Sequence, residues 1–221
     1  MTAAAIFVKT PGLSPLKTRL AREIGQASAE RWYLQAAAAV AELAQAAGLD
    51  AVYWAVAEAD ALPHPAWTNL PCLPQGSGQL GARMARVHNT LIARHGAALL
   101  LGADAPQIDH HWLRAASQWL EKPEARLCLG PARDGGFWTF GANVAIDELR
   151  WCSVGYSRAD TCIAFKRAMS GLGVWKILPA LTDVDEAADL TKMSTELASL
   201  TDPLPRQRQM LATQRELQAG R

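Results

Sequence analysis

The chain has 221 residues, 50% hydrophobic and 19% charged, a balance that suits a globular protein able to bury a sizeable core. Its net charge is +1, so it lacks the broad basic surface by which nucleic-acid polymers or anionic membranes are bound. An anionic ligand must therefore be held by a local cluster, which favours a small phosphorylated molecule.

Ala3–Val8 is a continuous apolar run that predicts a buried central strand. It is short, lacks a basic leader and runs straight into Lys9, unlike a signal peptide. No apolar stretch approaches the roughly 20 residues a membrane-crossing helix needs, and a cytoplasmic location is expected. Pro11 and Gly12 break the strand. Ser28 is placed to cap an Ala-rich helix that runs to about Ala47 and stops at Gly48. Val52–Ala57 predicts a second strand, followed by a proline-rich loop through Pro74. Leu80, Met84, Val87 and Leu91 share one face of a helix over Gly81–Arg94.

Ala97–Leu101 predicts another buried strand, ending at Gly102-Ala103-Asp104-Ala105-Pro106. Asp109 is placed to cap the helix Trp112–Leu120, and the adjacent His110 and His111 are expected on different faces, without a shared metal. Short strands follow at Arg126–Leu129 and Phe137–Gly141, then a helix over Ala159–Met169 closed by Gly171, and a last strand at Val174–Leu178. Helices over Glu186–Leu197 and Pro205–Leu217 complete the chain, with residues 203–221 expected as a polar, peripheral helix. Strands alternating with helices predict a layered α/β fold with a largely parallel sheet. Without a repeat or a linker, residues 1–221 read as one domain. The four cysteines show neither a CxxC pair nor a histidine at zinc spacing, and Cys72 and Cys128 read as small core residues.

Four segments carry chemistry. In Lys9-Thr10-Pro11-Gly12-Leu13-Ser14-Pro15-Leu16-Lys17-Thr18-Arg19-Leu20, three cations and a turn glycine follow the first strand. That position is the sheet edge where open α/β sheets bind ligands, and such a loop can surround a diphosphate with N–H donors and positive charge. Leu16 stands where a Walker A loop requires glycine, and no GxGxxG follows the strand. Asp104, just past a buried strand, is placed either to coordinate a divalent cation or to cap its own turn. Asp134, in Arg133-Asp134-Gly135-Gly136, reads as a base, as a partner of sugar hydroxyls, or as half of an Asp-Gly turn. In Thr182-Asp183-Val184-Asp185-Glu186, Asp183 and Asp185 alternate onto one side and either can join Asp104, while Asp185 can instead cap a helix.

Together these segments resemble a bacterial family, mostly of unknown function, with the glycosyltransferase-A (nucleotide-diphospho-sugar transferase) fold. The resemblance rests on Lys9–Leu20, Gln75-Gly76-Ser77-Gly78-Gln79-Leu80-Gly81-Ala82-Arg83-Met84 after Pro74, Gly102–Pro106, Leu129–Gly136 and Asp183–Asp185, in that order. It departs from the family at the alanines flanking Asp104 and at Cys152, inserted in Trp151-Cys152-Ser153. The resemblance implies a three-layer Rossmann-like fold with a mostly parallel mixed sheet, and a metal-dependent transferase using Mg²⁺ or Mn²⁺. Asp104, Asp183 and Asp185 would be the metal ligands, and Lys17 and Asp134 the catalytic groups. Lys9, Gly12, Lys17, Thr18, Arg19, Gln75, Gly76, Gly78 and Arg83 would bind the nucleotide and its phosphates. The expected partners are a nucleotide sugar or a nucleoside triphosphate and a small-molecule acceptor, with no nucleic-acid polymer and no membrane span. Glycosyl transfer, nucleotidyl transfer and a non-catalytic nucleotide-binding protein with a tryptophan-rich interface are the three functions this leaves.

Overall fold

Three consecutive alanines open the first strand, and their small side chains let layers on both faces approach it closely. In the computed structural model, which describes residues 1–58 and 64–219 and side chains as far as Thr213, this strand is β1 (Thr2–Val8). It lies mid-sheet, parallel to β2 (Ala51–Val56) on one side. Its other neighbour, also parallel, is the fourth strand in the chain. The rest of the sheet is β3 (Cys72–Pro74), β4 (Ala97–Gly102), β5 (Arg126–Pro131), β6 (Phe137–Ala142) and β7 (Val174–Ile177). The order is β3-β2-β1-β4-β6-β5-β7. Only β6 runs against the others, pairing antiparallel with both β4 and β5, so the sheet is mixed and mostly parallel, as expected.

The helices are α1 (Thr18–Ile24), α2 (Gln26–Ala46), α3 (Leu80–His95), α4 (His110–Leu120), α5 (Glu148–Cys152), α6 (Thr161–Ala168), α7 (Ala187–Ala198) and α8 (Pro205–Ala219). Strand alternation divides them into two layers. Ala4, Ile6 and Val8 pack with residues of α2, α4 and α7, whereas Ala3 and Ala5 pack with α3, Trp151 of α5 and Phe165 of α6. The result is helices on both faces of one sheet, a three-layer Rossmann-like arrangement.

The differences from the expected elements are short elements and element ends. At seven and five residues, α1 and α5 are too short to show a helical period, and each is held by one buried anchor, Leu20 and Trp151. The three-residue β3 sits inside the expected loop. Gly25 rather than Ser28 precedes α2. The C-terminal helix is anchored more firmly than its polar sequence suggests. Gln207 is 1% exposed, and its amide donates to the carbonyls of Pro106 and Ile108 at 2.7 and 2.9 Å. The last two residues of the expected 203–221 segment lie outside the described ones. Among tryptophans proposed for an interface, Trp32, Trp54 and Trp67 are buried.

One core group makes stability depend on pH. His88 of α3 is fully buried against the rings of Phe140 and Trp151. Asn89 is oriented by the backbone of Ile146, donating to its carbonyl and accepting from its N–H. The Asn89 oxygen therefore also accepts from His88 Nδ1, at 3.0 Å, which leaves Nε2 bare and without a partner. Burial pushes the imidazole pKa down to about 4 from an ordinary 6.5. Above about 6.5 both folded and unfolded chains keep it neutral. Below that, the unfolded chain takes up a proton that the folded one refuses until about pH 4, so this stability is lost as pH falls. The expected slope is about 1.4 kcal/mol per pH unit in that window. In urea unfolding at pH 7, 6 and 5 the slopes of the wild type and His88→Leu should differ by this His88 contribution; equal slopes in the two would refute the assignment.

Candidate functional site

Strands β1 and β4 are neighbours, but the chain leaves β1 toward β2 on one side and reaches β4 on the other. Such a reversal opens a crevice at the carboxyl ends of the strands. The loops after β1, β4, β5 and β7 all emerge at this edge.

The loop after β1 is tied down before it turns. Lys9 N donates to the Tyr33 hydroxyl at 3.0 Å, Thr10 N to Glu58 at 2.9 Å, and Trp67 Nε1 to the buried Thr10 hydroxyl at 3.0 Å. Leu13 N and Ser14 N both donate to the Thr10 carbonyl, a tight turn that Gly12 permits with φ +79°. Buried Leu16 returns the chain to the sheet. Lys17 then adopts the left-handed conformation, φ 40°, as the N-cap of α1, which is uncommon for a side chain of its size.

That strained backbone accompanies the central contact of the site. Lys17 Nζ lies 2.6 Å from Asp104 Oδ2, 3.2 Å from Asp185 Oδ1 and 3.5 Å from Asp183 Oδ1. Arg19 Nη1 adds a contact to the other oxygen of Asp185 at 3.3 Å. The Lys17 side chain is only 8% exposed. Burial opposes its charge, yet the three carboxylates outweigh burial and raise its pKa above the ordinary lysine value. Burial likewise opposes ionisation of Asp104, but the adjacent ammonium holds its pKa below the usual carboxylate range. Asp183 goes the other way: burial and the nearby charge of Asp104 push it well up. Three carboxyl groups thus face two cations, and the raised pKa of Asp183 marks it as the one that most readily holds a proton.

The aspartates after β7 are positioned from behind. Glu196 of α7 accepts from Thr182 N at 3.0 Å, the Thr182 hydroxyl at 2.9 Å, Gln107 Nε2 at 3.1 Å and Arg133 Nε at 3.0 Å. Gln107 also donates to the Thr182 carbonyl at 2.7 Å. The N-cap of α7 falls to Glu186, which forms a capping box with Asp189. Asp185 is therefore free of the capping role that its position allowed, and its carboxylate turns to Lys17 and Arg19. Asp134 accepts from Gly136 N at 2.9 Å, an Asx turn closing the β5–β6 hairpin.

Three cavities meet here. The first, about 570 Å³, is lined by Lys9, Lys17, Thr18, Arg19, Tyr33, Gln75, Asp104 and Asp185. The second, about 250 Å³, lies between β4 and the hairpin and reaches Asp104, Asp134 and Asp183. The third, about 670 Å³ and strongly polar, lies over Arg133, Asp134, Asp183, Asp185 and Lys192. Asp104 and Ser157 line all three.

Of the residues singled out in the sequence, Lys9, Lys17, Thr18, Arg19, Gln75, Asp104, Asp134, Asp183 and Asp185 line at least one of these cavities. Gly12, Gly76, Gly78 and Arg83 line none of the three. Arg83 Nε is committed to the Gly78 carbonyl at 2.8 Å, and the Gln75 amide donates to the carbonyls of Val8 and Ala55. The expectation for His110 and His111 needs correction. At the first turn of α4 no preceding turn blocks their rotamers, and their rings approach to 4.0 Å. With Asp109, which caps the helix by accepting from His111 N, they form the one group of three His, Cys, Asp or Glu among the described residues whose ligand atoms lie within 4.8 Å of one another. It lines none of the three cavities.

Sequence reasoning missed Ser157, Tyr33 and Glu196. Ser157 is held by two glycines far from it in the chain. A Cβ on Gly81 would lie 2.6 Å from the Trp151 carbonyl, and one on Gly135 would lie 2.0 Å from the Ala159 carbonyl. Both glycines therefore seat the 151–159 segment against the site.

A profile of the family described as "Uncharacterized protein conserved in bacteria (DUF2064)" matches residues 33–158. No curated protein matches the chain. Among solved structures, one from Desulfovibrio desulfuricans G20 described as a "putative nucleotide-diphospho-sugar transferase" aligns with a TM-score of 0.81 at 22% identity, covering 99% of this chain and 95% of its own. A nucleotidyl transferase from Methanothermobacter thermautotroptrophicus aligns with 0.60 at 12% identity, covering 90% and 99%. A 4-diphosphocytidyl-2C-methyl-D-erythritol synthase from Anaerococcus prevotii DSM 20548 aligns with 0.50 at 12% identity, covering 89% and 98%. At these identities the likeness establishes the fold, that of nucleotide-diphospho-sugar transferases.

The buttress behind the aspartates can be tested directly. Glu196→Ala leaves the buried Thr182 N–H without an acceptor and should lower unfolding free energy by about 2–3 kcal/mol. Amide exchange should accelerate at Thr182 in the folded protein; unchanged protection there would show that Glu196 does not hold the loop.

Proposed function

The chain belongs to the bacterial DUF2064 family, and from its fold and the geometry of its site we propose that it is a divalent-metal-dependent transferase using a nucleotide-diphosphate donor, a glycosyltransferase acting on a nucleotide sugar. The observation that carries this reading is the convergence of Asp104, Asp183 and Asp185 on Lys17 at the strand crevice, beside the basic loop. Their carboxyl groups are the hard oxygen donors that Mg²⁺ and Mn²⁺ prefer. Asp104, with Asp183 or Asp185, would hold the ion, and when bound it would supply Lewis-acid neutralisation of phosphate charge.

The remaining roles fall to the chain itself. Lys9, Thr18 and Arg19 line the 570 Å³ cavity and offer charge and hydrogen bonds to the diphosphate. Lys17, already fixed by its carboxylates, presents preorganised positive charge where the departing phosphate gains negative charge. Tyr33 and Gln75 also line that cavity, and the nucleoside would lie against them. Asp134 faces the opposite side of Asp104, across the two cavities left for the transferred group and its acceptor. It stands as the acceptor's base or as a partner of its hydroxyls. The whole-length likeness to the D. desulfuricans protein supports the sugar donor.

Nucleotidyl transfer from a nucleoside triphosphate needs the same loop and the same ion, and the Methanothermobacter likeness favours it as the second reading. Thermal shift with UDP-glucose, GDP-mannose, UTP, CTP and GTP, each with Mn²⁺ or EDTA, tests both. A ligand at a hundred times its Kd should raise Tm by about 5–10 °C with Mn²⁺ and not with EDTA. Release of a nucleoside diphosphate marks glycosyl transfer, pyrophosphate marks nucleotidyl transfer, and binding without product marks a non-catalytic binder. Asp104→Ala should abolish the metal-dependent shift. Full retention would leave Asp104 a turn residue and remove the basis of the metal site.

A further inference from the structure

The two faces of Asp104 differ in chemistry. On the loop side the 570 Å³ cavity is ringed by Lys9, Lys17 and Arg19. On the hairpin side the 250 Å³ cavity is walled by Leu80, Met84, Leu100, Phe137, Trp138 and Tyr156, and Asp104, Asp134 and Asp183 also line it. A sugar ring in such a space needs side-chain donors and acceptors to replace the water its hydroxyls lose, because an unmatched buried hydroxyl is costly.

The second cavity offers the carboxylates of Asp104, Asp134 and Asp183 as acceptors but few donors. Four of its lining residues carry side-chain donors, and three of those donors are already committed to backbone carbonyls. Tyr156 donates to Trp151 at 2.9 Å, Thr161 to Gly155 at 3.1 Å and Trp138 to Pro179 at 3.0 Å. The exception is Ser157. Its hydroxyl makes no hydrogen bond among the described residues, its backbone is held at φ 59°, and it stands where the three cavities join. One free hydroxyl and three carboxylates beside an aromatic and aliphatic wall match a ligand with an apolar body and one polar end.

The geometry points to this cavity as the acceptor subsite, taking a small alcohol with an alkyl or aromatic body rather than a sugar. Ser157 would contact the alcohol oxygen at the junction with the donor cavity. The identification as an acceptor subsite rests on the transferase reading above; the cavity's selectivity for an apolar body does not. Polar orientation at one end with apolar burial of the rest is the usual composition of a small-molecule site.

Methyl NMR on the whole chain tests the assignment, using the Met84 methyl as reporter and the Met193 methyl, buried in the opposite layer, as control. Benzyl alcohol should shift Met84 saturably and leave Met193 in place, and methyl glucoside at the same concentration should shift neither. Leu80 is 42% exposed at the cavity mouth, so Leu80→Trp should fold and weaken the benzyl alcohol titration at least fivefold. A saturable Met84 shift with methyl glucoside, no shift with benzyl alcohol, or an unchanged titration in Leu80→Trp would each overturn the proposal. Failure of Mn²⁺-dependent nucleotide stabilisation, measured separately, would strike the transferase reading and leave an apolar binding cavity standing.

Discussion

An ammonium group buried at the edge of a sheet survives only if carboxylates surround it, and Lys17 satisfies that condition with three. Its partners come from loops 87, 166 and 168 residues away in sequence. The contact therefore joins the ends of β1, β4 and β7 at one point. Withdrawal of charge from water costs several kcal/mol per ion, so each partner must be held where it compensates. The left-handed Lys17 backbone, the capping box that frees Asp185 and the fourfold ligation of Glu196 all serve that placement. The arrangement is a poor source of stability and a strong source of position.

The opposite wall is placed by absence of bulk. Gly81 admits the Trp151 carbonyl and Gly135 admits the backbone of Ala159. In consequence the 151–159 segment lies against both α3 and the hairpin, with Ser157 at the centre. A side chain at either glycine would push the wall outward and separate the cavities from Asp104. Two glycines remote from the chemistry thus set the width of the site, while charge sets its floor.

Much of this organisation was legible in the sequence. The buried runs Ala3–Val8 and Ala97–Leu101 read as central strands because nothing else accommodates uninterrupted apolar residues of that length, and their loops carried Lys17 and Asp104. The glycines at 135 and 136 announced a close approach without saying to what. Ser157 and Glu196 left no local trace, since an exposed serine and a helical glutamate are ordinary residues until tertiary structure supplies their neighbours. The adjacent histidines misled because helical wheel reasoning applies to helix interiors, and His110 and His111 sit in a first turn where rotamers are freer. Gly12, Gly76 and Gly78 stand out in the sequence as phosphate binders, and their positive φ values place a turn at each.

The juxtaposition of a basic loop and an acidic cluster bears on why both should occur in one crevice. A basic loop alone binds phosphate without help, and an acidic cluster alone binds a cation without phosphate. Placed together, each partly neutralises the other, and Lys17 is the residue shared between them. Three carboxyl groups face Lys17 and Arg19, and the raised pKa of Asp183 marks it as the one that holds a proton, which a cation can replace. The site thus has capacity for one more cation, while Lys9 and the exposed face of Arg19 retain capacity for an anion. On the proposed reading a metal–diphosphate pair meets both demands at once, and neither component alone does. That makes the two ligands mutually dependent through charge balance, with no change of fold required.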